Sequence, residues 1–130
     1  MADLKEKADA LLSVTTIADL SVESETTIYT VPAGKTLILT KALLRVAGDV
    51  GGSCDVSIGQ DGAETDFIAS SDLDEANAAG DVMLLAPIPS VTQVAPLKEY
   101  TAGERIKFDV INAGNGVAAT LYLYGTLDDA

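Results

Sequence analysis

From Thr26 onward, apolar and polar residues alternate with a period of two and β-branched side chains dominate, the pattern of strands with one face buried. The alternation predicts strands over Thr26–Val31, Thr36–Ala47, Cys54–Gly59, Asp66–Ser70, Val82–Pro87, Arg105–Asn112 and Ala118–Gly125. Between them stand "PAGK", "GDVGG", "GQDG", "NAAGD" and "NAGNG", clusters of residues that accept positive φ or preset a turn. Many short strands punctuated in this way predict a sandwich or barrel. In the last pair, Ile106, Phe108 and Val110 alternate with Lys107 and Asp109, while Leu121 and Leu123 alternate with Tyr122 and Tyr124. The intervening Asn115-Gly116 is a strong hairpin signal and predicts an antiparallel hairpin.

Ahead of the strands the period differs. In "DLKEKADALL", Asp3 to Leu12, the residues Leu4, Ala8, Leu11 and Leu12 have helical spacing, and Asp3 with Glu6 imitates a capping box. The expectation is an N-terminal arm over residues 1–25 carrying a short helix, followed by a β-sandwich domain over 26–130. A helix this short is marginal alone, so its stripe needs a surface, its own sandwich or a neighbouring subunit.

Two stretches echo one another: "YTVPAGKT" from Tyr29 and "YTAGER" from Tyr100. Each places a glycine, Gly34 or Gly103, at a reversal, and a charged residue, Lys35 or Glu104, just before the chain re-enters the core. Two equivalent corners, the first opened by Pro32, are what Greek-key connections between two sheets supply. The expected fold is all-β, a jelly-roll-like antiparallel sandwich with a short N-terminal helix or arm.

Composition narrows the function. The chain has 130 residues, enough for one core; 48% are hydrophobic and only 5% aromatic, so aliphatic side chains must fill that core. The formal charge of −12 repels phosphate backbones and anionic membranes, so neither nucleic acid nor membrane is expected as a partner. The lone Cys54 allows no internal disulfide, and the opening "MADLKEKADA" lacks the apolar run of a secretory signal; folding in a reducing cytoplasm is expected.

Catalytic chemistry finds little support. With no histidine, neither a Ser-His-Asp nor a Cys-His arrangement can be built, and no enzyme activity is expected. Between Val46 and Leu97 there is no Lys or Arg, but there are Asp49, Asp55, Asp61, Glu64, Asp66, Asp72, Asp74, Glu75 and Asp81. "DLDEANAAGDVM" begins like a calcium loop, yet Ala76, Asn77 and Met83 stand where a ligand, the glycine and the final glutamate belong. No metal or other cofactor is expected. A carboxylate dyad at Asp72 and Asp74 has no defined separation. "GNGVAA" matches a dinucleotide fingerprint, but a strand-like "TLYLYG" follows where a helix is required. Tyr122 and Tyr124, opposite Leu121 and Leu123, are candidates for a subunit interface or for stacking on sugars. The prolines of "APIPSVTQVAP" predict an edge strand or a long connection.

Together, "YTVPAGKT", "YTAGERIKFDV", "NAG" and the closing "ATLYLYG" resemble the small jelly-roll virion proteins of tailed bacteriophages. Capsid decoration (cement) proteins represent these best, with related modules in tail fibres. The resemblance covers about Thr26 to Gly125 and implies a homotrimer on the outside of the capsid, clasping adjacent copies of the major capsid protein, often through an N-terminal arm. It implies no catalytic residues. Contacts to capsid or neighbouring subunits are then expected at Leu4, Leu11, Leu12, Val14 and Ile17 of the arm and at Tyr122 and Tyr124. Pro32, Gly34, Gly103, Asn115 and Gly116 are expected to shape turns. The alternative from the same resemblance is a receptor- or carbohydrate-binding module of a tail fibre.

Overall fold

The computed structural model describes residues 9–87 and 97–130. Among the described residues there are nine strands: β1 (Ala10–Ile17), β2 (Glu25–Thr30), β3 (Lys35–Val46), β4 (Asp55–Gln60), β5 (Ala63–Asp72), β6 (Val82–Leu85), β7 (Glu99–Thr101), β8 (Arg105–Asn112) and β9 (Ala119–Asp129). No helix occurs among the described residues. Sheet I runs β1-β9-β3-β6, with β7 also paired to β3; sheet II runs β2-β8-β4-β5. Every pairing is antiparallel.

The pairing is nested. β1 lies against β9, β2 against β8, β3 against both β6 and β7, and β4 against β5. A single long two-stranded ribbon is therefore folded back and forth between two layers, which is the jelly-roll-like sandwich that the alternation and the corners predict. The inner faces meet through Leu37, Leu39, Leu44, Leu121 and Leu123 of sheet I and Ile58, Ile106, Phe108 and Val110 of sheet II, all buried.

Where the ribbon changes layers, its two chains latch to each other. At one end Val31 donates to the Glu104 carbonyl (3.0 Å) and accepts from the Gly103 N–H (2.9 Å). At the other end Leu20 donates to the Val117 carbonyl (2.9 Å) and accepts from the Gly114 N–H (2.9 Å). Val31 and Leu20 are 2% and 0% exposed, so their polar backbone groups have little access to water and the opposite corner satisfies them instead. The echoed sequences form matching turns, with Lys35 N–H bonded to the Pro32 carbonyl and Glu104 N–H to the Thr101 carbonyl. Gly34 (φ 76°) and Gly103 (φ 86°) supply the left-handed residue each turn requires.

Three expectations are corrected. The hairpin expected at Asn115-Gly116 does not form, because β8 ends in sheet II and β9 begins in sheet I. Neither Asn115 nor Gly116 has positive φ, which the tight hairpin turn would need at both. Asn115 instead braces the corner, its N–H on the Val50 carbonyl (2.9 Å) and its side-chain amide on the Asp49 carbonyl (3.0 Å). The tight hairpin lies at Asp61-Gly62, where Gln60 pairs with Ala63 and Gly62 has φ 90°. The helix expected over Asp3–Leu12 is replaced in its last part by β1; the rest lies outside the described residues. Residues 10–17 are thus an edge strand of the sandwich and not an arm beside it. A bulge between Leu11 and Ser13 shifts the inward phase, so the apolar positions mimic helical spacing while β-branched Val14, Thr15, Thr16 and Ile17 extend. The short strand β7 was not anticipated. Of "APIPSVTQVAP", the span 88–96 lies outside the described residues.

A Cβ added to Gly114 would lie 2.6 Å from the Val50 oxygen and 2.7 Å from Cys54 Cβ, whereas one at Gly116 would meet nothing closer than 3.7 Å. In urea unfolding, Gly114→Ala is expected to lose about 1–3 kcal/mol and Gly116→Ala less than about 0.5 kcal/mol. A hairpin turn would reverse that order, because there Gly116 would need left-handed backbone.

Candidate functional site

Strand pleating aims alternate residues of sheet I outward, and the register sets them in rows. One row runs Val14, Tyr122, Leu43, Leu84 across β1, β9, β3 and β6. The next runs Thr16, Thr120, Arg45, Val82, and a third runs Leu11, Tyr124, Lys41. Val14, Leu84, Val82 and Leu11 are 55%, 65%, 50% and 49% exposed on the two edge strands, and half-buried Tyr122, Tyr124 and Leu43 lie between them, so the face carries apolar and aromatic surface from edge to edge. Contiguous apolar surface of this kind marks an interaction site more often than scattered apolar residues do. Where the rows meet the corners, Thr16, Arg45, Ala47, Gly80, Ala118 and Thr120 line a shallow recess of about 280 Å³.

Of the contact residues expected from sequence, Leu11, Val14, Tyr122 and Tyr124 share this outer face. Leu12 packs against the core and Ile17, 5% exposed, is part of it, so both face away from a partner on this surface. Leu4 lies outside the described residues. The Lys41 ammonium sits 4.9 Å from the centroid of the Tyr124 ring, occupying a face on which a sugar would stack. Sequence reading missed Leu43, Leu84, Val82 and Arg45. The available signal was that "KALLRV" and "VMLL" carry apolar residues in both phases of the strand, which a sheet with one wet face does not need.

Several of the acidic residues serve as acceptors in turns. Asp49 accepts from Gly51 N–H (2.9 Å), Glu64 from Gly62 (3.0 Å), Asp72 from Asp74 (2.8 Å), and Asp81 from Asn77 (3.2 Å) and Ala78 (3.1 Å). Asp66 is a tie between the sheets: it accepts from the buried Tyr100 hydroxyl (2.9 Å) and from Gln60 N–H (3.0 Å), and pairs with Lys98. Burial, and then Asp66, push the Tyr100 hydroxyl pKa well above its ordinary value. Gly59 makes the tie possible, since a Cβ there would stand 2.4 Å from the Ala63 oxygen and 2.7 Å from Asp66 Oδ1.

On the far side of the sandwich, Glu25, Asp61 and Glu64 place carboxylate oxygens within 4.8 Å of one another. Their oxygens already have partners: Asp61 pairs with Arg105, and Glu64 accepts from Gly62 and from the Glu25 carboxyl. Partial desolvation, the Glu64 charge and hydrogen bond, and the charge of Asp109 raise Glu25, against the pull of Lys107. Burial, then Glu64 and Glu23, raise Asp109. Asp74 is raised by its hydrogen bond to Asp72. Cys54 is fully buried, and burial, then Asp55 and Asp72, push its thiol up, away from the reactive thiolate.

No protein-family model matches the sequence. A search of curated proteins finds no match. Solved structures match in shape. A chain of the acid-stable capsid of Helicobacter pylori bacteriophage KHP30 superposes with TM-score 0.58, covering 95% of this chain and 94% of that one at 16% identity. A chain of the capsid asymmetric unit of cyanophage Pam1 superposes with TM-score 0.52, covering 88% and 81% at 13% identity. What is shared at these identities is the fold.

A carboxyl whose pKa is raised by folding binds its proton more tightly in the folded state, so folding grows more favourable as pH falls through the raised value. That gain is complete below the unfolded value, about 4.3 for glutamate. Glu64 and Asp19 are lowered and act in the opposite sense, their contribution being lost as pH falls through their folded values. At low salt the melting temperature is therefore expected to rise as pH falls from about 7.5 towards the unfolded carboxylate values, and to decline once pH falls below about 4, where Glu64 and Asp19 lose their contribution. Glu25→Gln should raise the melting temperature at pH 7.5 and flatten the rise. An unchanged pH slope in this variant would remove Glu25 as its source.

Proposed function

We propose that this chain is a structural protein of a bacteriophage particle, a decoration protein that binds the outside of the capsid as a homotrimer and clasps adjacent capsid subunits. The observation that carries the reading is the fold match along nearly the whole of both chains with a chain of the KHP30 capsid. The open apolar face of sheet I supports it, because a decoration protein works through binding and needs surface to bury. Many copies, each removing apolar area from water across a subunit boundary, stabilise the assembled shell by mass action. The protein carries out no catalytic step in this role.

Purified protein mixed with undecorated phage capsids and sedimented should pellet with them in saturable, stoichiometric amount, and the decorated shells should disrupt at higher temperature than bare ones. Solution mass by light scattering should give three times the chain mass. Protein that stays in the supernatant, with no change in shell stability, would overturn the reading.

A further inference from the structure

Arg45 stands apart from the other cations among the described residues. Lys35 pairs with Asp129, Lys41 with Asp9, Lys98 with Asp66 and Arg105 with Asp61, and Lys107 feels the charge of Glu25. Arg45 is exposed near the end of the inner strand β3 and has no acid partner among the described residues, in a chain with 20 acids to 8 bases. Its row neighbours are Thr120 and Val82, the row beside it is Val14, Tyr122, Leu43 and Leu84, and the recess lies next to it.

We propose that the outer face of sheet I docks the capsid shell protein, with a shell carboxylate entering the recess to pair with Arg45 while apolar shell side chains cover the Val14-Tyr122-Leu43-Leu84 row. This rests on the decoration reading and assigns its face and partner chemistry. Arginine and tyrosine are the side chains that most often dominate interface energetics, and an arginine–carboxylate pair fixes orientation through two parallel hydrogen bonds. Charge complementarity selects the occupant. A second copy packed two-fold on this face would set Arg45 against the rows Val14-Tyr122-Leu43-Leu84 and Thr16-Thr120-Arg45-Val82, which contain no carboxylate, while Asp9 at the edge of the face already answers Lys41 of its own chain. A different chain, apolar with an acidic group at its centre, meets both requirements.

The test compares shell binding of wild type, Arg45→Lys, Arg45→Glu, Leu84→Asp and, on the opposite side of the sandwich, Glu23→Lys. These positions are exposed, and unchanged melting temperatures confirm that each variant folds. Arg45→Glu and Leu84→Asp should each weaken binding by at least about tenfold, Arg45→Lys should fall between, and Glu23→Lys should stay within about twofold. Wild-type binding with undiminished binding by Arg45→Glu and Leu84→Asp overturns the assignment of the face and leaves the decoration reading standing. Failure of the wild type itself to bind overturns both.

Discussion

The backbone at the crossings between layers is the constraint on which the rest depends. A ribbon that changes sheets must carry peptide groups through a water-poor interior, and each group left unpaired there costs about 1–3 kcal/mol. Leu20 and Val31 meet that requirement in the same way, each trading both of its backbone hydrogen bonds with the opposite corner. The bonds hold the two chains of the ribbon together at the moment both leave a sheet, so the strands entering the next sheet are already in register. Val50 extends the arrangement, donating to the Ala76 carbonyl while its own carbonyl accepts from Asn115. Packing of leucine, isoleucine and valine between the sheets then follows from a register that the corners have set.

With one face of each sheet committed to the core, function falls to the outer faces, and these differ. Sheet II and the loops near it carry Glu23, Glu25, Glu64, Asp55 and Asp109, and desolvation together with the Glu64 charge raises Glu25 and Asp109 above their ordinary values. Sheet I carries Val14, Leu43, Leu84, Tyr122 and Arg45, which has no acid partner among the described residues. The one thiol, Cys54, is buried, and Asp19, Asp49, Glu64, Asp72 and Asp81 accept from backbone amides in turns.

Much of the architecture was legible because alternation is a local property. Arg105–Asn112 agrees residue for residue with its strand, and the Ala-Gly corners at Gly34 and Gly103 carry the positive φ their sequences imply. What failed was information that depends on the distant chain. Asn115-Gly116 has the sequence of a hairpin turn, yet the pairing of β8 with β2 and β4, and of β9 with β1 and β3, draws the two strands into different layers. The bulge at Leu11 to Ser13 hid a strand behind helical spacing. Half of the candidate face was visible, Tyr122 and Tyr124 on the strand phase opposite Leu121 and Leu123, and Leu11 and Val14 as apolar residues of the expected arm. Leu43, Leu84 and Arg45 were not, because which phase of β3 faces outward is settled only after the Leu39–Lys41 bulge resets it.

Native-state hydrogen exchange at the Leu20 and Val31 amides tests the latched ribbon most directly. Both lie outside the regular strands, where amides ordinarily exchange through small local openings. A latched ribbon requires them to exchange only with global unfolding, at free energies within about 0.5 kcal/mol of those for the central amides of β3 and β9. Exchange at loop rates while those strands stay protected would contradict it.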